Sequence, residues 1–410
     1  MKRMIEFVLK NLFDDRKDLF GEESIFKDFK KEQDFLWKDG YQSAAIFGRI
    51  VYEEKNQLCL SDPLVLKITP QIIPENDVHI FAFINEIYFY SIVVPFFESF
   101  RTLDLFAKYY NGHVQMKSKE YQAVIVFENL QAGGYMPAAK KSFLDYAHLS
   151  LALRKLGEWH AYSFKARKED PNRFSIITNC INDIHTAFIH EYNNVIHACA
   201  MRGLKPLFNN PRYSDKLGNI QKIFENIRDF MLKIVDGNTK NPMSVLCHGD
   251  FLRNNILFKF RHNEPSDLKI IDLANCKMAS PVVDLALLLY INSDQDTRKN
   301  HWHDLINEYY VALKETFPDV EVPTKEQILN EFRRKSLYVY FVASFFLGTL
   351  MADDYNLPGE KECLPEEFWY TSPKYIPKDI FIKCFVKIGG SLTTEALTNI
   401  LKDMIDRGFI

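Results

Sequence analysis

Three polar residues near the middle of the chain have the types and spacing that could hold a divalent cation. Asp250 is followed five residues later by Asn255, and Asp272 comes directly after the apolar run 268–271. Two carboxylates and an amide oxygen are hard ligands of the kind that Mg²⁺ takes together with phosphate oxygens and water. Singly, each has an ordinary explanation as a turn residue or a helix cap. Together, at this spacing, they predict a metal site.

A predicted β-hairpin positions these three residues. The apolar runs 256–260 and 268–271 are typical of strands, and residues 261–265 between them include Asn and Pro, as a turn requires. Strands rise ~3.3 Å per residue, so two runs of similar length would bring Asn255 and Asp272 to the same end of the hairpin. Asp250 would then lie in the loop that leads into the first strand.

The same spacing occurs in the catalytic loop of kinases, where an Asp, an Asn five residues later and a metal-binding Asp follow one another. The opening His248-Gly249-Asp250 resembles that of the small-molecule branch, the aminoglycoside phosphotransferases and choline kinases. The string 247–257, with Ala279-Ser280-Pro281 and Asp284-Leu285, resembles the insect ecdysteroid kinase-like family specifically. In looser form the resemblance extends from about residue 39 to residue 290.

The resemblance implies an α+β, two-lobed protein-kinase-like fold. Residues 1–132 would form a small N-lobe of mainly antiparallel strands with a helix and an N-terminal helical extension. Residues 133–410 would form a large, mainly helical C-lobe with the catalytic loop and the acceptor-binding region. The boundary is placed at the glycine pair that follows the apolar strand 124–127. Between this strand and the glycine pair, the residues Glu128, Asn129 and Leu130 would form the linker whose backbone binds the adenine of ATP.

A lysine and a glutamate in the first lobe are predicted to pair. Lys67 lies in the apolar run 64–68, where a lysine on its own is most simply a snorkelling or edge-strand residue. Glu86 is the single acid in the apolar run 81–90, and an unpaired buried charge costs several kcal/mol. Lys67 is therefore the natural partner of Glu86. The resemblance implies that Lys67, held by Glu86, contacts the α- and β-phosphates of ATP.

Residues 40–52 are predicted to form a strand, a turn of small residues and a second strand that cover the phosphates, with Ser43 contributing to nucleotide binding. The family shows Gly-Glu-Asn-Tyr-x-Ser here; Tyr41 and Ser43 match it, and Lys38 stands where the first Gly would be. Apolar residues at helical spacing predict that residues 1–38 are helical and that 142–167 form a helix. On that helix, His160 is interpreted as a hydrogen-bonded core histidine.

Composition excludes several classes of function. The 410 residues carry a net charge of −3, which argues against a broad nucleic-acid-binding surface. Seven cysteines without a CxxC pair predict reduced thiols in a cytoplasmic protein, with Cys247 as a buried small hydrophobe. The longest uncharged run, 337–352, falls short of the ~20 residues that cross a bilayer, so we expect a buried helix and no membrane span.

The resemblance implies a kinase that uses ATP and Mg²⁺ to phosphorylate a hydroxyl of a small molecule, either an ecdysteroid-like steroid or a xenobiotic in detoxification. Asp250 would orient the hydroxyl and accept its proton, and Asn255 and Asp272 would hold Mg²⁺. Lys67, fixed by Glu86, would neutralise phosphate charge. Asp284 is expected to hold the catalytic loop.

Alternatives remain open: a choline- or ethanolamine-type kinase, and a catalytically silent pseudokinase that binds ligand. A protein kinase is disfavoured because no Ala-Pro-Glu follows Asp272. The chain also departs from the family pattern at Leu273-Ala274, where the family has Gln in the second position, and at Lys277-Met278, where it has Arg-Tyr. These departures concern the residues that would orient the metal site or recognise the acceptor.

Overall fold

The computed structural model describes residues 1–35, 43–69, 73–74, 77–139, 142–235, 241–368 and 376–410. These form two compact units. The first unit comprises Met1–Met136 with the later segments Leu257–Phe260 and Lys269–Asn275; the second comprises Pro137–Ile256, Arg261–Leu268 and Cys276–Ile410. The chain first passes between units at Met136 and Pro137, slightly after the boundary predicted at residues 132 and 133, and the β-hairpin then returns part of the chain to the first unit.

A seven-stranded antiparallel sheet dominates the first unit. Its strand order is β1-β2-β4-β7-β5, with β3 paired to β2 and β6 paired to β7. The strands are β1 (Ile25–Phe35), β2 (Ala44–Glu54), β3 (Gln57–Leu60), β4 (Leu64–Ile68), β5 (Ile73–Pro74), β6 (Tyr109–Lys117) and β7 (Glu120–Glu128). The predicted strands at 64–68 and 124–127 correspond to β4 and to part of β7, the two strands that pair along the buried middle of the sheet.

Two sets of helices pack in the first unit. The N-terminal helices α1 (Lys2–Asp15) and α2 (Lys17–Phe20) share an apolar core with the sheet, in which Leu9, Phe13 and Leu66 are buried. Helix α3 (Ile80–Tyr88) continues through a π-helical turn (Phe89–Val93) into α4 (Val94–Glu98). Helix α3 carries Asn85 and Glu86, both buried.

The prediction that residues 1–38 are helical is wrong from Ile25 to Phe35, which form strand β1. Phe26 and Phe29 are three residues apart, a spacing typical of a helix. The strand places both against the core under α1 because an irregularity in the pairing with β2 lies between Phe26 and Asp28. An extra residue of this kind shifts the alternation of side chains by one, so a strand can imitate helical spacing.

The turn predicted within 40–52 is also corrected in part. Ala44 and Ala45 lie in β2, paired with Ile68 and Lys67 of β4, and do not belong to a turn. Ser43 immediately precedes β2. Residues 36–42, which include Lys38, Gly40 and Tyr41, lie outside the described residues.

The second unit is mainly helical. Its helices are α5 (Tyr146–Glu169), α6 (Pro171–Asn179), α7 (His185–Leu204), α8 (Leu217–Glu225), α9 (Ile227–Val235), α10 (Val282–Ile291), α11 (Gln295–Thr316), α12 (Lys325–Tyr355), α13 (Glu360–Cys363), α14 (Lys378–Phe385) and α15 (Gly390–Asp406). Every residue of α10 is buried, which explains an apolar sequence without a polar face. The predicted helix at 142–167 corresponds to α5.

Among the described residues, Ile80–Glu98 and Lys325–Tyr355 are long and apolar enough to cross a membrane by length and composition alone. Within the protein, 56% and 72% of their most apolar windows are buried, as in the core helices of a soluble protein, so this is weak evidence for a span. The run 337–352 belongs to the second of these helices. The absence of a membrane span stays a prediction.

Two small sheets contain the strands that come directly before and after the candidate catalytic loop in the sequence. Strands β9 (Val245–Cys247) and β12 (Lys277–Ala279) pair with each other, and β10 (Ile256–Arg261) lies between β8 (Tyr135–Pro137) and β11 (Glu264–Ile270). The predicted hairpin is present, with a turn of two residues, His262 and Asn263, at φ 53° and 65°. Positive φ at both central residues defines the type I′ turn that suits the twist of a hairpin. The predicted α+β class, with mainly antiparallel strands in the first unit and mainly helices in the second, is confirmed.

Helices α5 and α11 approach closely at Gly157, which yields a test of the packing. A Cβ atom there would meet the backbone oxygen of Tyr309 and lie 3.1 Å from Cβ of Ala312. We expect Gly157→Ala to lower the free energy of unfolding by about 1–3 kcal/mol, since overpacking forces neighbouring backbone to shift. The matched control is Gly218→Ala in α8, where no atom lies within 4 Å.

Because alanine favours a helix more than glycine does, the control should unfold at the same temperature as the wild type or higher. Thermal unfolding followed by circular dichroism measures both variants. Equal melting temperatures for the two variants would contradict the close packing of α5 on α11.

Candidate active site

In the first unit, the side chain of Lys67 lies between two carboxylates. Its Nζ donates to Oε2 of Glu86 at 2.6 Å and to Oδ1 of Asp272 at 2.8 Å. Lys67 comes from β4, Glu86 from α3, and Asp272 from the segment after β11. The side chain of Glu86 is 2% exposed and that of Asp272 is 39% exposed. The structure thus brings three predicted site residues together, including the predicted Lys67–Glu86 pair.

The electrostatics of this group follow from burial and from the charges of its members. Burial opposes the charge of Lys67, but the carboxylates of Asp272 and Glu86 raise its pKa above the ordinary lysine value. Burial raises the pKa of Glu86 to about 7, and the ammonium of Lys67 opposes this shift. The ammonium is therefore the stable charge of the group, and each carboxylate depends on it.

The backbone after β11 is tied to helix α3. Asp272 has φ 63°, in the left-handed region that Asp tolerates better than most residues with a side chain. Asn85 Nδ2 donates to the carbonyl oxygen of Ala274 at 3.2 Å. The backbone of Leu273 also hydrogen-bonds to Glu86. At Leu273-Ala274, where the chain departs from the family, the backbone therefore still connects Asp272 to the helix that holds Lys67.

In the second unit, Asp250 and Asn255 are in direct contact. Nδ2 of Asn255 donates to the backbone oxygen of Asp250 at 2.8 Å and to its Oδ2 at 3.0 Å. Asn255 is 3% exposed and closes a short 3₁₀ turn, Arg253–Asn255. This contact fixes the direction of the Asp250 carboxylate and turns the amide oxygen of Asn255 away from it. Asn254 Nδ2 donates to that oxygen at 3.0 Å.

The backbone before Asp250 is held by Asp284 of α10. Oδ2 of Asp284 accepts from the backbone N–H of His248 at 2.7 Å, and Oδ1 accepts from that of Gly249 at 2.9 Å. Gly249 has φ 80°, a conformation that glycine adopts without strain. Burial would raise the pKa of Asp284, but the hydrogen bonds from His160 and from the Gly249 amide hold it below its usual value. The structure places Asp284 where the sequence predicted it.

His160 on α5 is fully buried and hydrogen-bonded through both ring nitrogens, as predicted for a core histidine. Its Nε2 lies 3.2 Å from Oδ2 of Asp284, and its Nδ1 lies 2.9 Å from the hydroxyl of Tyr309 on α11. Sequence reasoning did not find Tyr309. It lies 149 positions from His160, and no motif surrounds it.

Sequence reasoning also missed Asn292, which joins the candidate catalytic loop to the start of the second unit. Its Oδ1 accepts from the backbone N–H of Arg253 at 3.0 Å, and its Nδ2 donates to the backbone oxygen of Ser142 at 2.9 Å. The Arg253 guanidinium donates to the backbone oxygen of Ala138 at 3.3 Å. A lone Asn after an apolar helix carries no sequence signal for this role.

The predicted nucleotide-linker residues are largely engaged in local structure. The backbone N–H of Glu128 donates to Lys108, and Glu128 Oε1 accepts from the Lys108 amide at 2.7 Å. The N–H of Asn129 donates to Pro63, and its side chain caps the following 3₁₀ turn. Of the three linker amides, which all lie in the described part of the chain, that of Leu130 has no hydrogen bond within the protein.

Cys247 is fully buried, as predicted, and its Sγ lies 3.4 Å from the backbone oxygen of Ser280. With His160 and Asp284 it forms a compact group that could be mistaken for a metal site. Burial raises the pKa of the Cys247 thiol well above its usual value, which disfavours the thiolate form that binds metals. Both nitrogens of His160 and both oxygens of Asp284 already have partners, so this group is a hydrogen-bonded cluster.

The oxygen donors predicted for Mg²⁺ fit that ion in kind. Asp272 offers a carboxylate that is 39% exposed, and Asn255 offers an amide oxygen. Each lies in its own unit and has a defined local environment: Asp272 faces Lys67, and Asn255 is oriented by Asp250. That these two residues share one ion stays a prediction.

Comparison with known proteins gives a family match. The model of the ecdysteroid kinase-like family matches residues 38–322, more than half of the chain. The GDP complex of an aminoglycoside 2'-phosphotransferase-IIIa mutant is 14% identical, with a TM-score of 0.40, covering 85% of this chain and 92% of that one. The GDP complex of the wild-type enzyme is 15% identical, with a TM-score of 0.39, covering 85% and 93%. No curated protein matches the sequence significantly.

The pairing of Lys67 predicts a pH-dependent loss of stability in Lys67→Met. Removing one partner of a buried ion pair costs about 3–5 kcal/mol, because the remaining charge is uncompensated. Without the ammonium, the pKa of Glu86 rises above about 7. A carboxyl group whose pKa is raised on folding destabilises the protein increasingly as the pH rises towards that pKa. The melting temperature should therefore fall more at pH 8 than at pH 5.5.

The control is Lys10→Met on the exposed face of α1, measured at the same two pH values. It should change the melting temperature little at either pH. An equal loss for Lys67→Met at pH 5.5 and pH 8 would show that Glu86 does not depend on Lys67.

Proposed function

The chain belongs to the ecdysteroid kinase-like family, and on this premise we propose that it transfers the γ-phosphoryl group of ATP to a hydroxyl of a small organic molecule. Family membership supports a small-molecule kinase; the acceptor we propose is an ecdysteroid-like steroid or a xenobiotic alcohol. One observation carries the proposal. Lys67 is held at 2.6 Å from Glu86 and 2.8 Å from Asp272, an ion-paired lysine of the kind that phosphotransferases aim at nucleotide phosphates.

Asp250 is proposed as the residue that orients the acceptor hydroxyl and receives its proton. Its carboxylate direction is fixed by Asn255 at 3.0 Å, and its backbone follows the two amides bound to Asp284. A base on such a supported loop loses little freedom when the acceptor arrives, which is how positioning lowers the barrier of phosphoryl transfer. The side chain is partly exposed, as contact with an acceptor requires.

The nucleotide is proposed to contact the first unit through Lys67, Ser43 and the linker 128–130. Because the amides of Glu128 and Asn129 donate within the protein, the Leu130 amide is the linker donor best suited to the adenine ring. Mg²⁺, with Asp272 and Asn255 as its proposed ligands, would neutralise charge on the β- and γ-phosphates. With seven cysteines all free as thiols, we propose that the protein works in the cytoplasm.

The deciding experiment is a label-transfer screen. Purified protein is incubated with Mg²⁺, γ-labelled ATP and a panel of hydroxylated steroids, xenobiotic alcohols, choline and ethanolamine. The proposal expects label on a steroid or xenobiotic. Label on choline or ethanolamine alone would replace the proposed acceptor class. Mg²⁺-dependent ATP binding without transfer to any acceptor would indicate a pseudokinase.

Asp250→Asn is expected to slow transfer strongly while leaving the affinity for ATP nearly unchanged. The amide lacks the basic oxygen that takes the proton, and the loss should reach about 10²–10⁴-fold in kcat. Isothermal titration with ATP and the label-transfer assay measure the two properties. The matched control is Asp296→Asn on the exposed first turn of α11, which should retain wild-type turnover. Wild-type turnover in Asp250→Asn would remove Asp250 from the mechanism.

Asp272→Asn tests the metal assignment. We expect the Mg²⁺ concentration for half-maximal nucleotide binding to rise about 10–100-fold, because a carboxylate ligand is replaced by a neutral amide. Fluorescent-nucleotide binding at varied Mg²⁺ measures this without turnover. Asp14→Asn on the exposed face of α1 is the control. An unchanged Mg²⁺ dependence would assign the ion to other ligands.

A further inference from the structure

We propose that Tyr309 and His160 are positioning residues for phosphoryl transfer: Tyr309 selects the His160 tautomer that donates to Asp284 and thereby sets the backbone that carries Asp250. This inference rests on the proposed function, because it concerns the loop that bears the proposed base. The hydrogen bonds of Tyr309 and His160 go to each other and to Asp284, not to the side chain of Asp250. Both act through a chain of hydrogen bonds inside the second unit.

The hydrogen bonds form a continuous path. The Tyr309 hydroxyl lies 2.9 Å from Nδ1 of His160, and Nε2 of His160 lies 3.2 Å from Oδ2 of Asp284. Asp284 accepts from the His248 and Gly249 amides at 2.7 Å and 2.9 Å. The Asp250 amide then donates to Nδ1 of His248 at 3.3 Å. Each step links one element to the next, from α11 through α5 and α10 to the catalytic loop.

Donor and acceptor requirements assign the proton on His160. An ionised carboxylate accepts only, so Nε2 of His160 must carry the hydrogen that faces Asp284. In the neutral ring Nδ1 is then an acceptor, and the Tyr309 hydroxyl donates to it. The opposite tautomer would place the Nε2 lone pair against the carboxylate. Tyr309 therefore favours the tautomer that binds Asp284.

Burial makes each of these partners necessary. Tyr309, His160 and Asp284 are all 0% exposed. Trp159 packs beside His248 at 5.8 Å between ring centroids, which adds to the apolar surroundings of the path. Bulk solvent therefore does not reach these three side chains. A buried group without its partner costs free energy, and the ring or the carboxylate must reorient to recover a bond.

Loss of the Tyr309 hydroxyl should affect turnover more than nucleotide binding. The path reaches the backbone of residues 248–250 and includes none of the proposed nucleotide contacts Lys67, Ser43 and Leu130. A displacement of a catalytic group by about 1 Å can cost about 10²-fold in rate. A kcat that falls while the KM for ATP stays constant is the expected signature.

The first experiment compares Tyr309→Phe with Tyr310→Phe, its neighbour on α11, which is partly exposed. Both variants lose one hydroxyl. Tyr309→Phe should lower kcat about 10–100-fold with the KM for ATP within about threefold of wild type. In hydrogen–deuterium exchange, peptides that cover residues 246–252 should exchange faster in Tyr309→Phe alone. Unchanged kcat together with unchanged exchange in these peptides would overturn the inference.

The second experiment separates the two nitrogens of His160. The amide nitrogen of glutamine can replace Nε2 and donate to Asp284, whereas that of asparagine takes the place of Nδ1 and leaves Asp284 without its side-chain donor. His160→Gln should therefore keep more activity and slower exchange at residues 246–252 than His160→Asn. Equal losses in both variants at matched melting temperatures would indicate a packing role only.

The two experiments also distinguish this inference from the proposed function. If wild-type protein transfers phosphate to no acceptor, the proposed function fails, and exchange at residues 246–252 still decides whether Tyr309 orders the loop. If wild-type protein is active and Tyr309→Phe matches Tyr310→Phe in kcat and exchange, the inference fails and the proposed function stands. A variant that does not fold is recognised by its circular dichroism, and the His160→Gln and His160→Asn comparison then gives the result.

Discussion

A charge removed from water must be matched by donors or by an opposite charge, and this constraint determines the candidate site. Asp284 is its clearest instance. Its carboxylate is fully buried and is satisfied by two backbone amides and one histidine nitrogen. Because those amides belong to His248 and Gly249, the need of one buried carboxylate fixes the backbone that leads to Asp250. The backbone geometry of His248 and Gly249 therefore depends on the buried charge of Asp284.

The same constraint applies in the first unit, where the buried charge is positive and carboxylates match it. Lys67 brings an ammonium group into an apolar sheet, and Glu86 and Asp272 match it at 2.6 Å and 2.8 Å. Glu86 is the more deeply buried acid, so it is the one that depends most on the lysine. Asp272 is more exposed, as the metal-binding role proposed for it requires.

The chain departs from the family pattern at Leu273-Ala274 and at Lys277-Met278, and the two places differ in what the side chains contact. At Leu273-Ala274 the backbone, rather than a side chain, meets Asn85 and Glu86, so a change of side chain leaves these bonds in place. Lys277 and Met278 are buried in β12 beside β9, one strand from the loop that carries Asp250. A change from Arg-Tyr to Lys-Met there alters volume and hydrogen-bonding capacity beside the strand that leads to Asp250.

The sequence by itself determined the hairpin, the buried strands 64–68 and 124–127, the Lys67–Glu86 pair and the order Asp250, Asn255, Asp272. These features are encoded locally, by apolar runs, turn residues and short spacings, so periodicity and motif are sufficient to find them. The local pattern gave a wrong prediction from Ile25 to Phe35. This segment pairs with β2 as a strand, and an irregularity in the pairing gives its apolar residues a helix-like spacing.

Only the tertiary structure decided the contacts between residues far apart in the chain. The packing of α11, the end of α10 and α3 supplies three such contacts, made by Tyr309, by Asn292 and by the Ala274 carbonyl. Nothing in the sequence around these residues marks them. The reason is physical: a buried donor or acceptor requires a partner, but which distant residue supplies it depends on how the helices pack. Local sequence specifies the need, and the fold specifies the partner.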